Sequence, residues 1–500
     1  MYAGVAVVIL VATAVRLYGL NWDGGLGAHP DERFLVGVAE GLRWPDRLNP
    51  LEVAPGFAYG HLLPYLVAMA AGMVRGVDSL LVGRVLVALF DVGTVALTYA
   101  LGRRLYGERI GLLAAAFVAL MVAHVQQAHF CTVDGPVTFF TLGALLFAAR
   151  LAEHGRTGDA WVAGAWAGLA LGTKTSAVLF ILPLGVAVAI SPAWPKPGLR
   201  QGFAAAAGAL ATFALTNPFA LISFPSFWHN VREQAALVRG ALDAPYTRQF
   251  HGTWPYLYPV AQQVRWGMGW LAGLAAFGGL VYAVWRAVQE PPRRAEWVVL
   301  SWMVPSFAFV GALYVKFPRY LLPLTPVLAV YGARLLLHER RRPQPRSRLT
   351  TGDLFAVLAL GGSLLRCLAF LGQYRLPHPW LAASEWFADH VPQGATVAVE
   401  QWDHPLPLDA TGYEVRVLPV FDEDGPEKWA RMEGAKGRNG SRNFTSWFTR
   451  SFIAGSRGSA RMLRFPRARS PNSMPPWNQP TIFPPAMRRA ASSSGLGQTV

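Results

Sequence analysis

Residues 28–34 read Ala28-His29-Pro30-Asp31-Glu32-Arg33-Phe34. Two adjacent acids stand here behind an apolar run, 2–20, in a chain otherwise composed for lipid. Carboxylates at a membrane surface are costly to desolvate, so such acids are either solvated or in use. They lie in the stretch between apolar spans, 21–78, that also carries Trp22, Asp23, Trp44, Asp46, Glu52, Tyr59 and His61. The reading is a first outer loop that forms part of an active site at the outer membrane face. Helix capping is the plain alternative for the two acids, because acids favour helix N-termini and Pro30 precedes them.

Composition agrees with a lipid setting. The 500 residues are 53% hydrophobic and 15% charged, against roughly 25% charged in soluble globular chains. Eighteen Trp and 28 Phe suit many membrane interfaces. The net charge of +16 suggests a nucleic-acid binder, but its distribution excludes one. Residues 435–500 hold ten Arg, one Lys and no acid, and so supply eleven of the sixteen charges. Much of the remaining basic charge sits in short loops between apolar runs, as the positive-inside rule describes. Cys131 and Cys367 lie in or beside apolar segments and imply neither a disulfide framework nor a thiolate metal site. No basic region precedes the apolar run 2–20, which reads as a retained span rather than a removed signal peptide.

Apolar periodicity predicts about eleven spans, at 2–20, 79–101, 110–128, 135–151, 160–173, 176–191, 202–220, 266–286, 297–315, 319–337 and 353–371. The stretch 60–76, interrupted by Pro64, reads as a helix lying in the interface. Arginines cluster in alternate loops: 103, 104 and 109; 150 and 156; 286, 293 and 294; 340–342, 346 and 348. Lys196 and Arg200 fill one more. Those loops are assigned to the cytoplasm, which turns the acidic loop, the turn near Thr132-Asp134, the stretch 221–265 and the turn Lys316-Arg319 outward.

The fold class is therefore an α-helical polytopic membrane protein with a small outward-facing α/β C-terminal segment. Residues 1–371 form the membrane module. Residues 372–433 form the outer segment, with a helix over 383–390 and strands near 395–400 and 413–420. From 434 to 500 Arg, Ser, Pro and Gly dominate and periodicity vanishes. That texture reads either as a disordered basic tail or as a shifted reading frame that ends the natural sequence near Glu433.

Asp31 leads the catalytic candidates, since a general base needs reach to an acceptor proton and a suitable environment. Glu32 is the residue to position Asp31 or an acceptor. Asp134 follows, at the outward end of a span with His129, just before Gly135-Pro136 turn the chain back. Two carboxylates across one cavity leave a divalent metal open, and no other cofactor is implied. Lys174 and Arg319 are cations at a depth suited to a lipid-linked phosphate, which Arg grips with paired hydrogen bonds. Snorkelling to headgroups is the alternative for both. Tyr59, His61, His129 and Tyr320 are candidates for substrate contact. No Walker A or other nucleotide loop stands in a convincing context.

Several motifs in order carry a family resemblance. They are His29-Pro30-Asp31-Glu32, Tyr59-Gly60-His61-Leu62-Leu63-Pro64 and Gly102-Arg103-Arg104-Leu105-Tyr106-Gly107. They continue with His129-Phe130-Cys131-Thr132-Val133-Asp134-Gly135-Pro136, Gly168-Leu169-Ala170-Leu171-Gly172-Thr173-Lys174, Asn217-Pro218-Phe219 and Lys316-Phe317-Pro318-Arg319-Tyr320-Leu321-Leu322-Pro323. Over about 20–335 the chain resembles the polytopic glycosyltransferases of the GT-C fold. The likeness is to the bacterial relatives of dolichyl-phosphate-mannose–protein mannosyltransferases and lipid A aminoarabinose transferases. The resemblance implies a multi-pass protein of the bacterial cytoplasmic membrane that moves a sugar from a polyprenyl-phosphate carrier to a protein, lipid or glycan acceptor at the outer face. It implies Asp31 as base or acceptor-orienting acid, Asp134 as second acid, and Arg319 with Lys174 on the carrier phosphate. A transporter or flippase for a lipid-linked sugar is the competing class, and it predicts acids at the bilayer midplane and repeated halves.

Overall fold

The computed structural model describes residues 2–74, 76–192, 198–337, 350–400 and 406–419. The basic segment 340–348, Lys196 and the tail from 434 lie outside them. The chain divides into two compact units, one through Leu376 and one from Pro377.

Each predicted apolar run is helical in the first unit. In chain order the long helices are Tyr2–Leu17, Ser79–Tyr106, Glu108–Leu120 with Val122–Ala128, Asp134–His154 and Thr157–Leu171. They continue as Ile181–Ala189, Gly198–Thr216, Trp270–Gln289, Arg294–Ala312, Thr325–Leu336 and Thr351–Leu371. Among the described residues five stretches are long and apolar enough to cross a membrane alone, or six if the pair Glu108–Leu120 and Val122–Ala128, bent by 56°, is one span. For two of the predicted spans the difference from about eleven has a local cause. The runs at 176–191 and 319–337 begin as 3-10 turns, Thr175–Phe180 and Pro318–Leu324, and only then become α-helical. Pro318, Pro323 and Pro326 remove backbone donors there and prevent one continuous helix. The 60–76 stretch forms Leu62–Met73, a 12-residue helix of about 18 Å, too short to span the hydrocarbon core.

Small residues draw the helices together. Thr157–Leu171 packs on Gly198–Thr216 so closely that a Cβ on Gly164 or Gly208 would strike backbone of the facing helix. Thr212 Oγ1 donates across this seam to the Ala165 carbonyl at 2.9 Å. Close backbone approach of this kind is what drives helix association in lipid.

The bend at Met121 frees backbone carbonyls, and Arg16 takes them. Its guanidinium donates to Val118 and Ala119 carbonyls at 3.1 and 2.9 Å and to Asp91 Oδ2 at 2.7 Å. His124 joins the other Asp91 oxygen (2.5 Å) to the Thr325 hydroxyl (2.8 Å). All four side chains are buried. Without this mutual pairing none of the three ionisable groups would be tolerated at that depth.

The second unit carries a helix, Pro379–His390, and two parallel strands, Thr396–Glu400 and Glu414–Leu418, in register from Thr396–Glu414 to Glu400–Leu418.

Candidate active site

Four loop or helix-end segments converge in the first unit. Pro30 at the first helical position starts the helix Pro30–Gly41 and sets Asp31 in its first turn. Asp134 opens the helix Asp134–His154. Lys174 sits in an extended link between Thr157–Leu171 and the 3-10 turn Thr175–Phe180. Arg319 lies in the 3-10 turn Pro318–Leu324.

Arg319 bridges the two acids. Its Nη2 donates to Asp31 Oδ2 at 2.9 Å, and its Nε lies 3.7 Å from Asp134 Oδ2. Lys174 Nζ donates to Asp134 Oδ1 at 2.7 Å. Two carboxylates thus face two cations. Exposure separates the acids: the Asp31 side chain is 28% exposed and that of Asp134 only 3%. The Phe317 ring lies 4.2 Å below the Arg319 guanidinium, and the Tyr320 ring 5.0 Å from Lys174 Nζ. These faces fix both cations without neutralising them.

The tyrosines Tyr59, Tyr246 and Tyr320 complete the surroundings. Burial pushes the Tyr59 and Tyr246 phenols above their ordinary range, and the Asp31 charge adds to this at both. They therefore remain O–H donors at neutral pH. Backbone stitching holds Tyr59 in place: Gly60 N donates to the Thr173 carbonyl (3.1 Å) and Leu62 N to the Gly172 carbonyl (3.1 Å). A Cβ on Gly60 would collide with the Gly172 carbonyl, so this approach needs glycine.

The other expected residues lie elsewhere. Glu32 is fully buried and turned from Arg319. Its oxygens accept from Arg84 Nη2 (2.7 Å), Arg84 Nε (2.9 Å) and Cys131 N (2.7 Å). Arg84 also donates to Asp23 at 2.9 and 2.8 Å and to the Leu20 carbonyl at 2.7 Å. Burial raises the Glu32 carboxyl against the pull of Arg84. Burial also works to raise Asp23, but Arg84 and two backbone amides outweigh it and leave that carboxyl lowered. Glu32 therefore ties the Asp31 helix to the Cys131–Asp134 turn and has no oxygen facing the Arg319 cluster. His129 is buried, with its ring nitrogens on the Val125 and Tyr18 carbonyls. His61 is buried among Phe57, Tyr65 and Phe227, and its ring nitrogens meet no partner among the described residues.

The buried imidazoles carry a pH signature. Burial pushes both His29 and His61 from 6.5 down to about 4, opposed at His29 by the Asp31 charge. Between those pH values the unfolded chain binds protons that the fold refuses. The stability contribution is complete above about 6.5 and is lost as pH falls toward 4. The unfolding temperature in detergent is expected to drop across that window, and His61→Phe is expected to flatten the slope. An unchanged slope would remove His61 from the account.

A divalent cation does not fit this donor set. Each acid already faces a protein cation, and among the described residues no group of three or more His, Cys, Asp or Glu converges.

Sequence reasoning missed Arg84, Asp91 and Arg16, although lone charges inside apolar runs signal a buried partner. It also missed Tyr246, which carries no periodic or compositional mark, and held Phe317 only as part of a quoted motif.

The family model described as "Dolichyl-phosphate-mannose-protein mannosyltransferase" matches residues 61–222. The chain is similar to the undecaprenyl phosphate-alpha-4-amino-4-deoxy-L-arabinose arabinosyl transferase 1 of Pseudomonas fluorescens, with 28% identity over 304 residues, 59% of this chain and 53% of that protein. It thus spans about half the length of that curated relative. Among solved structures, the apo oligosaccharyltransferase of Archaeoglobus fulgidus superposes with a TM-score of 0.53 at 16% identity, covering 78% of this chain and 58% of that one. ArnT from Cupriavidus metallidurans in the apo state gives 0.50 at 16% identity, covering 88% and 89%. With the helical membrane unit already described, these likenesses show a polytopic membrane protein that shares the fold of the two solved transferases, and residues 61–222 carry the likeness to the mannosyltransferase model.

Proposed function

We propose that the protein transfers a sugar from a polyprenyl-phosphate-linked donor to a protein, lipid or glycan acceptor at the outer face of the bacterial cytoplasmic membrane. The observation that carries this reading is the Asp31–Arg319–Asp134–Lys174 cluster. Nucleotide sugars are cytoplasmic, so an outward-facing transferase needs a lipid-borne donor. Such a donor calls for cations on its phosphate and a carboxylate near the acceptor.

The unequal exposure of the acids divides their roles. Asp31, the accessible one, is the general base. Asp134, nearly buried, holds Lys174 and Arg319 for the donor phosphate. The acceptor oxygen or nitrogen attacks the anomeric carbon in line with the phosphate, and the carbon inverts. The acceptor proton passes to Asp31. The bond from carbon to phosphate oxygen breaks, and its electron pair stays on the phosphate between Arg319 and Lys174. A phosphate leaving group needs no strong general acid, so one base with electrostatic stabilisation suffices. Tyr59 and Tyr320 supply hydrogen-bond donors around it. Glu32 positions, through Arg84 and Cys131. The segment 372–433 is assigned to the outer face.

The test is release and transfer of radiolabelled sugar from a panel of polyprenyl-phosphate sugars by purified protein in lipid. Turnover with at least one donor supports the reading. Lipid flipping with no turnover on any donor would replace it by transport. Arg319→Lys keeps the charge and loses the paired geometry. It is expected to raise the apparent KM for donor about ten- to a hundredfold, read from initial rates against donor concentration.

A further inference from the structure

A second polar cavity lies at the far end of the helix Ser79–Tyr106, beside loops assigned to the cytoplasm and outside the site described above. Arg84, which anchors the Asp31 loop, and Tyr106 lie on one straight helix, Ser79–Tyr106. At 1.5 Å per residue they are separated by roughly 30 Å, the thickness of a hydrocarbon core. Around Tyr106 five helix ends meet: the ends of Ser79–Tyr106, Trp270–Gln289 and Thr325–Leu336, and the starts of Glu108–Leu120 and Arg294–Ala312. They enclose a cavity of about 550 Å³.

Its charges do not balance. The floor is a closed network in which Tyr106 Oη donates to Glu296 Oε1 at 2.6 Å, and Arg334 donates to both. The Arg334 guanidinium also lies 4.3 Å from the Tyr106 ring centre. On the rim, Glu290 pairs with Arg286 and Glu108 with Arg103. Every acid lining the cavity therefore has its own arginine. Two further lining arginines, Arg109 and Arg293, come from separate helix starts, and neither has an ion-pair partner among the described residues. Ile110, Ala287 and Leu337 give the same cavity an apolar side.

We propose that this cavity binds the phosphate of an anionic phospholipid headgroup, gripped between Arg109 and Arg293, with the glycerol end on the apolar side. Basic pockets between helix ends at headgroup depth are suited to this ligand, and guanidinium matches phosphate with paired hydrogen bonds. The inference stands independently of the transfer reaction, because no residue of the Arg319 cluster takes part.

The test uses the full-length protein in nanodiscs of zwitterionic lipid, with or without an anionic phospholipid, read by retained lipid in native mass spectrometry and by unfolding temperature. Wild type is expected to retain anionic phospholipid and to unfold at a higher temperature in its presence. Arg109→Gln with Arg293→Gln is expected to weaken retention about thirtyfold, roughly fivefold per arginine. The control Arg156→Gln with Arg200→Gln removes equal charge from the loops assigned to the same face, at residues that neither line the cavity nor pair with an acid that does, and is expected to retain lipid as wild type does. Equal losses in the two double variants would mean only diffuse attraction and would overturn the site. Stabilisation by millimolar inorganic phosphate, with none from the lipid, would overturn the lipid assignment.

Discussion

Asp31→Asn is expected to lower turnover about a hundred- to ten-thousandfold while leaving donor binding nearly intact. The amide keeps the shape and can still meet Arg319, but it cannot take a proton. The prediction is sharper than a simple loss of activity because Asp134 provides its contrast. Asp134 receives Lys174 at 2.7 Å and lies 3.7 Å from Arg319. Asp134→Asn should loosen the two phosphate-binding cations, so its loss should fall mainly on donor KM. Measuring kcat and KM for both variants, with binding of the sugar-free carrier as a check on folding, separates the roles. Robust turnover in Asp31→Asn would move the base elsewhere in the site.

Arg84→Met is expected to destabilise the fold by about 3–5 kcal/mol, the usual cost of stranding buried charge. Asp23 and Glu32 both lose the guanidinium that satisfies them, and both are fully buried. Thermal unfolding in detergent reads the loss. The triple variant Asp23→Asn, Glu32→Gln, Arg84→Met removes the charges together and should recover a substantial part of it, because the penalty comes from imbalance more than from lost attraction. A single variant as stable as wild type would show the triad to be dispensable. Activity should fall in the single variant as well, since Glu32 also receives the Cys131 amide three residues before Asp134.

Much of this was legible in the sequence, for identifiable reasons. Helices in lipid must satisfy their backbone internally, so an apolar run announces its structure with little ambiguity. The cations and acids of the site stand between such runs, where a charge is conspicuous: Asp31, Asp134, Lys174 and Arg319 were named from position together with the family resemblance, and the structure brings them together. The adjacent pair at 31 and 32 was the harder case. Successive residues on a helix point about 100° apart, so two neighbours cannot serve one cluster. Which of them turns inward depends on Arg84, some fifty residues on, and no local pattern encodes that. Tyr246 belongs to a 3-10 turn, Pro245–Phe250, with no periodicity, and enters the site only through folding. The broken spans were hidden too, because apolar composition is the same whether a run is one helix or a turn followed by one.

The Arg319–Asp31 contact joins residues 288 positions apart. During synthesis at roughly 5–20 residues per second, the nascent chain exposes Asp31 for about a quarter of a minute to a minute before its partner leaves the ribosome. The Arg319 cluster is thus among the last features of the membrane unit to close. A nascent chain stalled before residue 319 would already hold the Arg84 and Asp91 pairings of its early helices, yet it would lack the bridge between Asp31 and Asp134.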